Sequence, residues 1–477
     1  MKINRNLTLL FLFSALLVLN ILVSCSGKSV KKGMLISTEA PGNIDTLDFI
    51  NGDSSRFPEK TRIIAFNPER PGSASILTGD FFAACFPKIS SDGKSILFSA
   101  QQKQGEPWQI WEMELKNLKS RKIISSDNNC TDPAYLPEGR IVFSKFTVND
   151  TIKTANCLYT CNPDGSDLKQ ITFGPQSDFA TTVMKDGRLL TVNRQIIPRN
   201  TDPVLMVMRP DGTKSDLFYR STPGSTILSS PVEDDNGKIY FIESEKEKPF
   251  KPDVIAINYN RPLHSRKNIT SDTEGNFNFV LPLKNGSCLV SYRKSSSDLY
   301  AIYDFDLVKK MPGQKVFSDP EYNILDIIAV GESVKPKKLP SEVDMKVKTG
   351  LLLCQNINLL DHPAADNSSD HPKADRIEIL GIDSTYGVVQ VEKDGSFYLK
   401  VMSDIPFQIR TLDEKGNIIS GPCSWMWLRP NERRGCVGCH QDPELVPENR
   451  ASLAVKKSPV IIPVHITKVT EKIIELE

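Results

Sequence analysis

Neither sign of charge is in surplus in this sequence: 59 lysines and arginines stand against 58 aspartates and glutamates, a net of +1. Nothing in that balance suggests a nucleic-acid partner, and none is expected. Histidine is scarce, with 5 in 477 residues, so any imidazole chemistry must draw on few positions. One Cys-x-x-Cys-His stands at residues 436–440 and no second copy accompanies it. After His440 there is no methionine and no tyrosine, and His465 is the sole later histidine. The downstream methionine that ligates iron in a small cytochrome is therefore missing. What is present is ordinary for a globular protein, at 39% hydrophobic and 25% charged residues, over a length that accommodates two to four domains.

The first residues form a separate instruction. Lys2 and Arg5 precede an apolar run over residues 7–23, which closes on Ser24-Cys25. This is a secretory signal rather than a spanning helix. Its order of basic, apolar, small residue and cysteine resembles a bacterial lipobox, with cleavage after residue 24 leaving Cys25 to carry lipid. The alternative is a plain signal peptide. Ser26 in place of aspartate points to an outer-membrane lipoprotein on the periplasmic or cell-surface side, its bilayer partner engaged through acylated Cys25. Residues 1–24 are thus read as signal and 25–60 as leader or linker. Export permits disulfides. Setting Cys25 aside from the 10 cysteines leaves an odd number, so at least one thiol lies outside intrachain disulfides. Cys157 and Cys161 share one face of a strand-like stretch, and a structural or paired role is expected for them.

The middle of the chain repeats with a period of about 48 residues. Gly93, Gly139, Gly187, Gly237 and Gly286 each turn between two runs rich in apolar and β-branched residues, and a further interval lands on Gly331 in DIIAVGESV. A second strand, turn, strand motif follows each, giving four short strands per repeat, the build of a propeller blade. The sixth repeat lacks its second hairpin, whereas residues 62–79, RIIAFNPERPGSASILTG, have the shape of LYTCNPDGSDLKQITFG. The N-terminal hairpin is expected to close the ring, giving a six-bladed propeller over residues 61–342. The repeats resemble the TolB-like propellers of exported bacterial proteins. Asp132 and the Pro-Asp-Gly aspartates, Asp164 and Asp211, are read as turn residues, with ligand contact the alternative.

From residue 343 the repeat stops. Alternating strands in RIEILGI, YGVVQVEKDGSFYLKVM and IPFQIRTLDEKGNIIS, with hairpin signals at Asp394-Gly395 and Lys415-Gly416, predict a small β-sandwich-like domain over 343–432. It leads into a tail over 433–477 carrying Cys436, Cys439 and His440. The fold class is therefore all-β. Trp425 and Trp427 fall on one strand face, where they either fill a core or cover a cofactor.

A TolB-like propeller, then EKDGSF at 392–397, then SWMWLRPNERRGCVGCH and ENR, resembles the hydrazine synthase alpha subunit family, in particular its middle domain. The resemblance implies c-type haem on cysteines matching Cys436 and Cys439. Hydrazine formation itself is not expected, because the sequence ends soon after His440 without a second haem motif or a nearby tyrosine.

The residues themselves leave three readings of Cys-Val-Gly-Cys-His. Two thiols one turn apart can add to haem vinyl groups, with His440 beside them for the iron. Alternatively they supply three zinc ligands, with Cys354 or Cys423 as the fourth. The family also leaves room for both, His440 serving zinc while the cysteines hold haem. In the third reading the thiols form a disulfide or an inert pair. For a sixth iron ligand the sequence offers Met426, His362, His371 and His465. The two functional expectations are a lipid-anchored haem protein in electron transfer or small-molecule redox work, with a redox or subunit partner, and a non-enzymatic binding propeller whose cysteine tail is structural.

Overall fold

Gly93, Gly139, Gly187, Gly237 and Gly286 all take positive φ, between 69° and 92°, the left-handed conformation that tight hairpins demand. In the computed structural model, which describes residues 29–42, 56–198, 201–246, 250–283, 286–359, 373–438 and 450–462, each joins the first two strands of an antiparallel sheet. Blade 1 runs Ala83–Ile89, Ser95–Gln101, Gln109–Glu114 and Ser120–Lys122. Blade 2 runs Cys130–Tyr135, Ile141–Asn149, Lys153–Cys161 and Lys169–Gln170, and blade 3 Gln176–Val183, Leu189–Gln195, Val204–Met208 and Asp216–Arg220. Blades 4 and 5 occupy Ser225–Ile227 to Lys267–Asn268 and Asn276–Pro282 to Met311–Phe317. Second strands such as Leu189–Gln195 are buried nearly throughout, whereas the outermost Ser120–Lys122 is fully exposed. The apolar runs therefore became blade centres and the polar segments became edges.

Ring closure differs from the expected hairpin exchange. In the sixth sheet Tyr322–Ile324 and Ile328–Ala329 pair with Leu35–Pro41, which pairs with Arg62–Asn67, followed by Arg70–Ile76. The N-terminal hairpin does close the ring. It is joined there by Leu35–Pro41, which the reading of 25–60 as leader missed. Seven residues, LISTEAP, carry no turn signal and fewer apolar side chains than their burial implies; all but Pro41 are buried. Gly331 turns no hairpin. It begins a linker that crosses the propeller face, where Ser333 donates to the Ser91 carbonyl (2.9 Å) and Lys337 to that of Lys185 (3.0 Å). Gly187 lies under this linker, and a Cβ there would sit 2.0 Å from the Lys337 carbonyl oxygen.

The second module is a sandwich of two four-stranded sheets. One orders Arg433–Cys436, Thr349–Cys354, Phe397–Met402 and Val460–Ile461; the other orders Thr385–Gln390, Arg376–Leu380, Gln408–Leu412 and Ile418–Ser420. Leu352, Ile377, Ile379, Leu399, Ile409 and Leu428 fill the space between them. The Gly416 turn makes the expected hairpin, but the Gly395 turn passes the chain from one sheet to the other. The boundary expected at residue 433 also cuts a strand, because Arg433–Cys436 and Val460–Ile461 are the parallel edges of the first sheet. Among the described residues there is no α-helix.

Candidate cofactor-attachment site

Residues 433–436 form an edge strand because residues 349–354 offer an open ladder beside them. Cys436 lies in register with Cys354, and the Gln355 and Asn356 amides donate to the Cys436 and Val437 carbonyls at 3.0 and 3.3 Å. Gly438 follows under tight cover: a Cβ there would meet the Leu359 carbonyl oxygen at 2.7 Å and that of Asn356 at 3.0 Å. Cys439 and His440 lie outside the described residues, as do Cys25, His362, His371 and His465.

From Arg450 onward the chain is received by EKDGSF. Asp394 accepts from the Leu453 amide (2.9 Å), Ser396 Oγ from the Ala454 amide (3.0 Å), and Lys457 pairs with Glu392 at 2.7 Å. Arg450 donates to the Asp394 carbonyl at 3.2 Å. The motif that carried the family resemblance thus holds one end of the segment bearing Cys439 and His440, and the sheet edge beside Cys354 holds the other.

Three thiols converge on this sandwich core. Cys354 is fully buried, with Cys423 and Cys436 packed against the same cluster. A hydrogen bond from the Cys354 thiol draws the Cys436 thiol below its ordinary value, while burial pushes Cys423 up to about 12. Cys436 is therefore more easily ionised than Cys423, and its Sγ lies 3.1 Å from the Gly438 carbonyl oxygen. Elsewhere, burial raises Cys157 to about 12 and Cys161 to about 11. Both are free and belong to separate core clusters, so the structural role expected of them fits and mutual pairing does not.

The lead-in SWMWLRPNER joins this sheet to blade 3. Met426 bridges Phe407 and packs with Leu428 against the sandwich core, so Trp425 and Trp427 face the other way. Trp425 Nε1 donates to the Ile197 carbonyl in the propeller at 2.6 Å. Arg429 lies over Phe173, 4.6 Å from its ring centroid, donates to the Asp211 carbonyl (3.0 Å) and pairs with Asp404 (2.7 Å). Glu432, its carboxylate fully buried, accepts from the amides of Arg429 and Lys214, each at 2.8 Å, and from Arg434 at 2.8 Å. These residues were not singled out in the sequence, although buried charge in a run flanked by tryptophans is the signal that marks them. A cavity of about 570 Å³ opens between propeller, linker and sandwich, lined by Arg140, Phe173, Leu339, Met345 and Arg429; Cys436 is not part of its lining.

Asp132 is not a hairpin-turn residue. It sits at a bulge of the innermost strand of blade 2, with φ of 53°, buried in an ion pair with Arg56. Arg56 stacks between the rings of Phe57 (4.7 Å) and Phe179 (4.5 Å). Asp164 does cap its own turn, accepting from the Ser166 amide at 3.0 Å. Asp211 caps one too and in addition accepts from the linker amide of Glu342 at 2.8 Å. A second cavity, about 350 Å³, lies among the innermost strands beneath the linker, with Lys88, Asp132, Lys185, Asp326 and Val334 on its walls.

Two carboxyls near the propeller axis give a pH signature. Burial raises Asp178 to about 7 and Asp326 to about 6; Asn193 donates to Asp178 at 2.7 Å and the Thr38 amide to Asp326 at 2.6 Å. Being raised, both bind their proton more tightly folded than unfolded, so they favour folding below about pH 4 and penalise it increasingly up to about pH 7. Asp178→Asn is expected to leave stability at pH 4 unchanged and to raise it at pH 8 by on the order of 2 kcal/mol, read by urea unfolding at both pH values. Equal effects at the two pH values contradict this assignment.

The family model for the hydrazine synthase alpha subunit middle domain matches residues 361–441. Hydrazine synthase subunit alpha of Kuenenia stuttgartiensis is 22% identical over 510 residues, which cover 80% of this chain and 63% of that protein. The chain thus spans less than two thirds of that relative's length. The solved hydrazine synthase of Kuenenia stuttgartiensis superposes with a TM-score of 0.76 at 21% identity, over 90% of this chain and 72% of that one. TolB from Acinetobacter baumannii aligns over 62% of this chain and 67% of its own, with a TM-score of 0.42 and 12% identity. The chain is similar to the hydrazine synthase alpha subunit in sequence through its middle domain and in fold over most of its length.

Proposed function

We propose that this chain is an exported, lipid-anchored propeller protein that holds a c-type haem through Cys436 and Cys439, with His440 beside the iron, and serves electron transfer or small-molecule redox chemistry. The observation that carries the reading is Cys436: a partly exposed thiol, lowered by Cys354, at the end of an edge strand whose following segment is held at both ends. Thioether formation needs a thiol that ionises readily, and Cys436 meets that need where Cys423, pushed up by desolvation, does not. Haem, when bound, supplies a redox-active iron. The protein's contribution is to position the thiols, and Asp216 of blade 3 and Arg434 both act electrostatically on Cys436 at the junction of sandwich and propeller. A subunit partner is part of the proposal, because the Kuenenia stuttgartiensis relative is itself a subunit. Hydrazine synthesis is not.

Periplasmic expression with haem-attachment machinery is expected to give a haem band that survives denaturing electrophoresis and a pyridine haemochrome spectrum. Cys436→Ala with Cys439→Ala should abolish both. A second reading, zinc on Cys436, Cys439 and His440 with Cys354 or Cys423, draws on the convergence of the three thiols. Unmodified mass with stoichiometric zinc decides for it and against haem.

A further inference from the structure

We infer that Cys354 and Cys436 form a reversible disulfide that withdraws Cys436 from the attachment site. They are direct register partners on adjacent parallel strands, so both side chains project from the same face of the sheet. Neighbouring strands lie ~4.8 Å apart, and a disulfide needs Cα atoms ~4.4–6.8 Å apart, so the strand spacing falls within the range a bridge needs. Both thiols pack against the same apolar cluster, and Cys354 is near enough to lower the Cys436 thiol. They also differ in access: Cys354 is fully buried, whereas Cys436 is partly exposed and open to exchange from outside.

In the reaction each thiol gives up one proton and one electron, and the Sγ–Sγ bond forms between residues 354 and 436. A disulfide in the exporting compartment is the oxidant; its own S–S bond breaks and it leaves as two thiols carrying the two electrons and two protons. A cysteine in that bond has no thiol to add to a vinyl group. Attachment and the cross-strand disulfide are therefore mutually exclusive, and Cys354 acts as a redox gate on Cys436. That consequence rests on the haem reading, whereas the disulfide itself does not.

The test uses the full chain made without haem-attachment machinery, equilibrated with oxidised glutathione, alkylated and digested with trypsin without reduction. The expected product links the peptide of residues 349–373 to that of residues 435–450, with Cys439 alkylated and Cys436 bonded, and dithiothreitol abolishes it. Linkage of Cys436 to Cys439 or Cys423, a lasting mixed disulfide with glutathione, or full alkylation of Cys436 overturns the proposal. Because this mapping is made on the unsubstituted chain, it does not depend on how any variant folds. With attachment machinery present under oxidising conditions, Cys354→Ser is expected to raise the haem-loaded fraction at least twofold. No rise despite the mapped disulfide overturns the gate; absence of haem from both proteins, with the disulfide present, overturns the haem reading alone.

Discussion

Replacing Glu432 with alanine is expected to destabilise the protein by about 3–5 kcal/mol, among the largest effects of any single substitution outside the apolar cores. Its carboxylate is fully buried and collects bonds from two elements that meet nowhere in sequence: the Lys214 amide beside blade 3, and Arg429 and Arg434 on the approach to Cys436. Removing it leaves Arg434, whose side chain is only 12% exposed, without its carboxylate, and opens the backbone turn from 429 to 432. Glu432→Gln keeps the shape and some acceptor capacity while losing the charge, so it should cost less, about 1–3 kcal/mol. Two measurements check this. Urea unfolding gives the loss of stability, and limited proteolysis reports whether the linker over residues 331–343 becomes cleavable as the sandwich loosens from the propeller. A loss below 1 kcal/mol with an unchanged cleavage pattern contradicts the role assigned to Glu432.

The second large effect lies inside the propeller. Arg56→Ala is expected to cost about 3–5 kcal/mol, because it strands the buried Asp132 carboxylate at the blade 2 bulge and removes a guanidinium packed between Phe57 and Phe179. The double variant with Asp132→Ala should lose clearly less than the sum of the two single variants, since each one alone leaves a partner uncompensated. Strict additivity in the double-mutant cycle shows that the pair is not coupled. Arg56 comes from a stretch with the composition of a leader, so the experiment also asks whether residues before the repeats belong to the propeller's core.

That stretch shows what was legible and what was not. The blades were readable because a hairpin of this type requires a glycine at positive φ, and the requirement recurs in the sequence at Gly93, Gly139, Gly187, Gly237 and Gly286. Leu35–Pro41 was hidden because one of its two flanking neighbours comes from nearly three hundred positions away, and a local pattern of apolar and polar residues does not encode that neighbour. The Asp394-Gly395 turn has the composition of a hairpin, yet the flanking strands enter different sheets, and the residue after the turn, Ser396, bonds instead to the distant Ala454 amide. Around Cys436 the spacing of the thiols was legible, and Cys354 and Cys423 were already candidates. The parallel register that places Cys354 beside Cys436 was not, since parallel pairing leaves no turn between its strands for a sequence to reveal.

The closing sheet also sets an order of events for a chain synthesised from its amino end. Thr38, on a strand made early, bonds to Asp326, 288 residues later. Until that late segment emerges, Leu35–Pro41 has one unsatisfied edge, which a neighbouring chain can occupy as readily as its own. The ring therefore locks last, and a pause in synthesis before residue 322 leaves the molecule most exposed to pairing with a copy of itself.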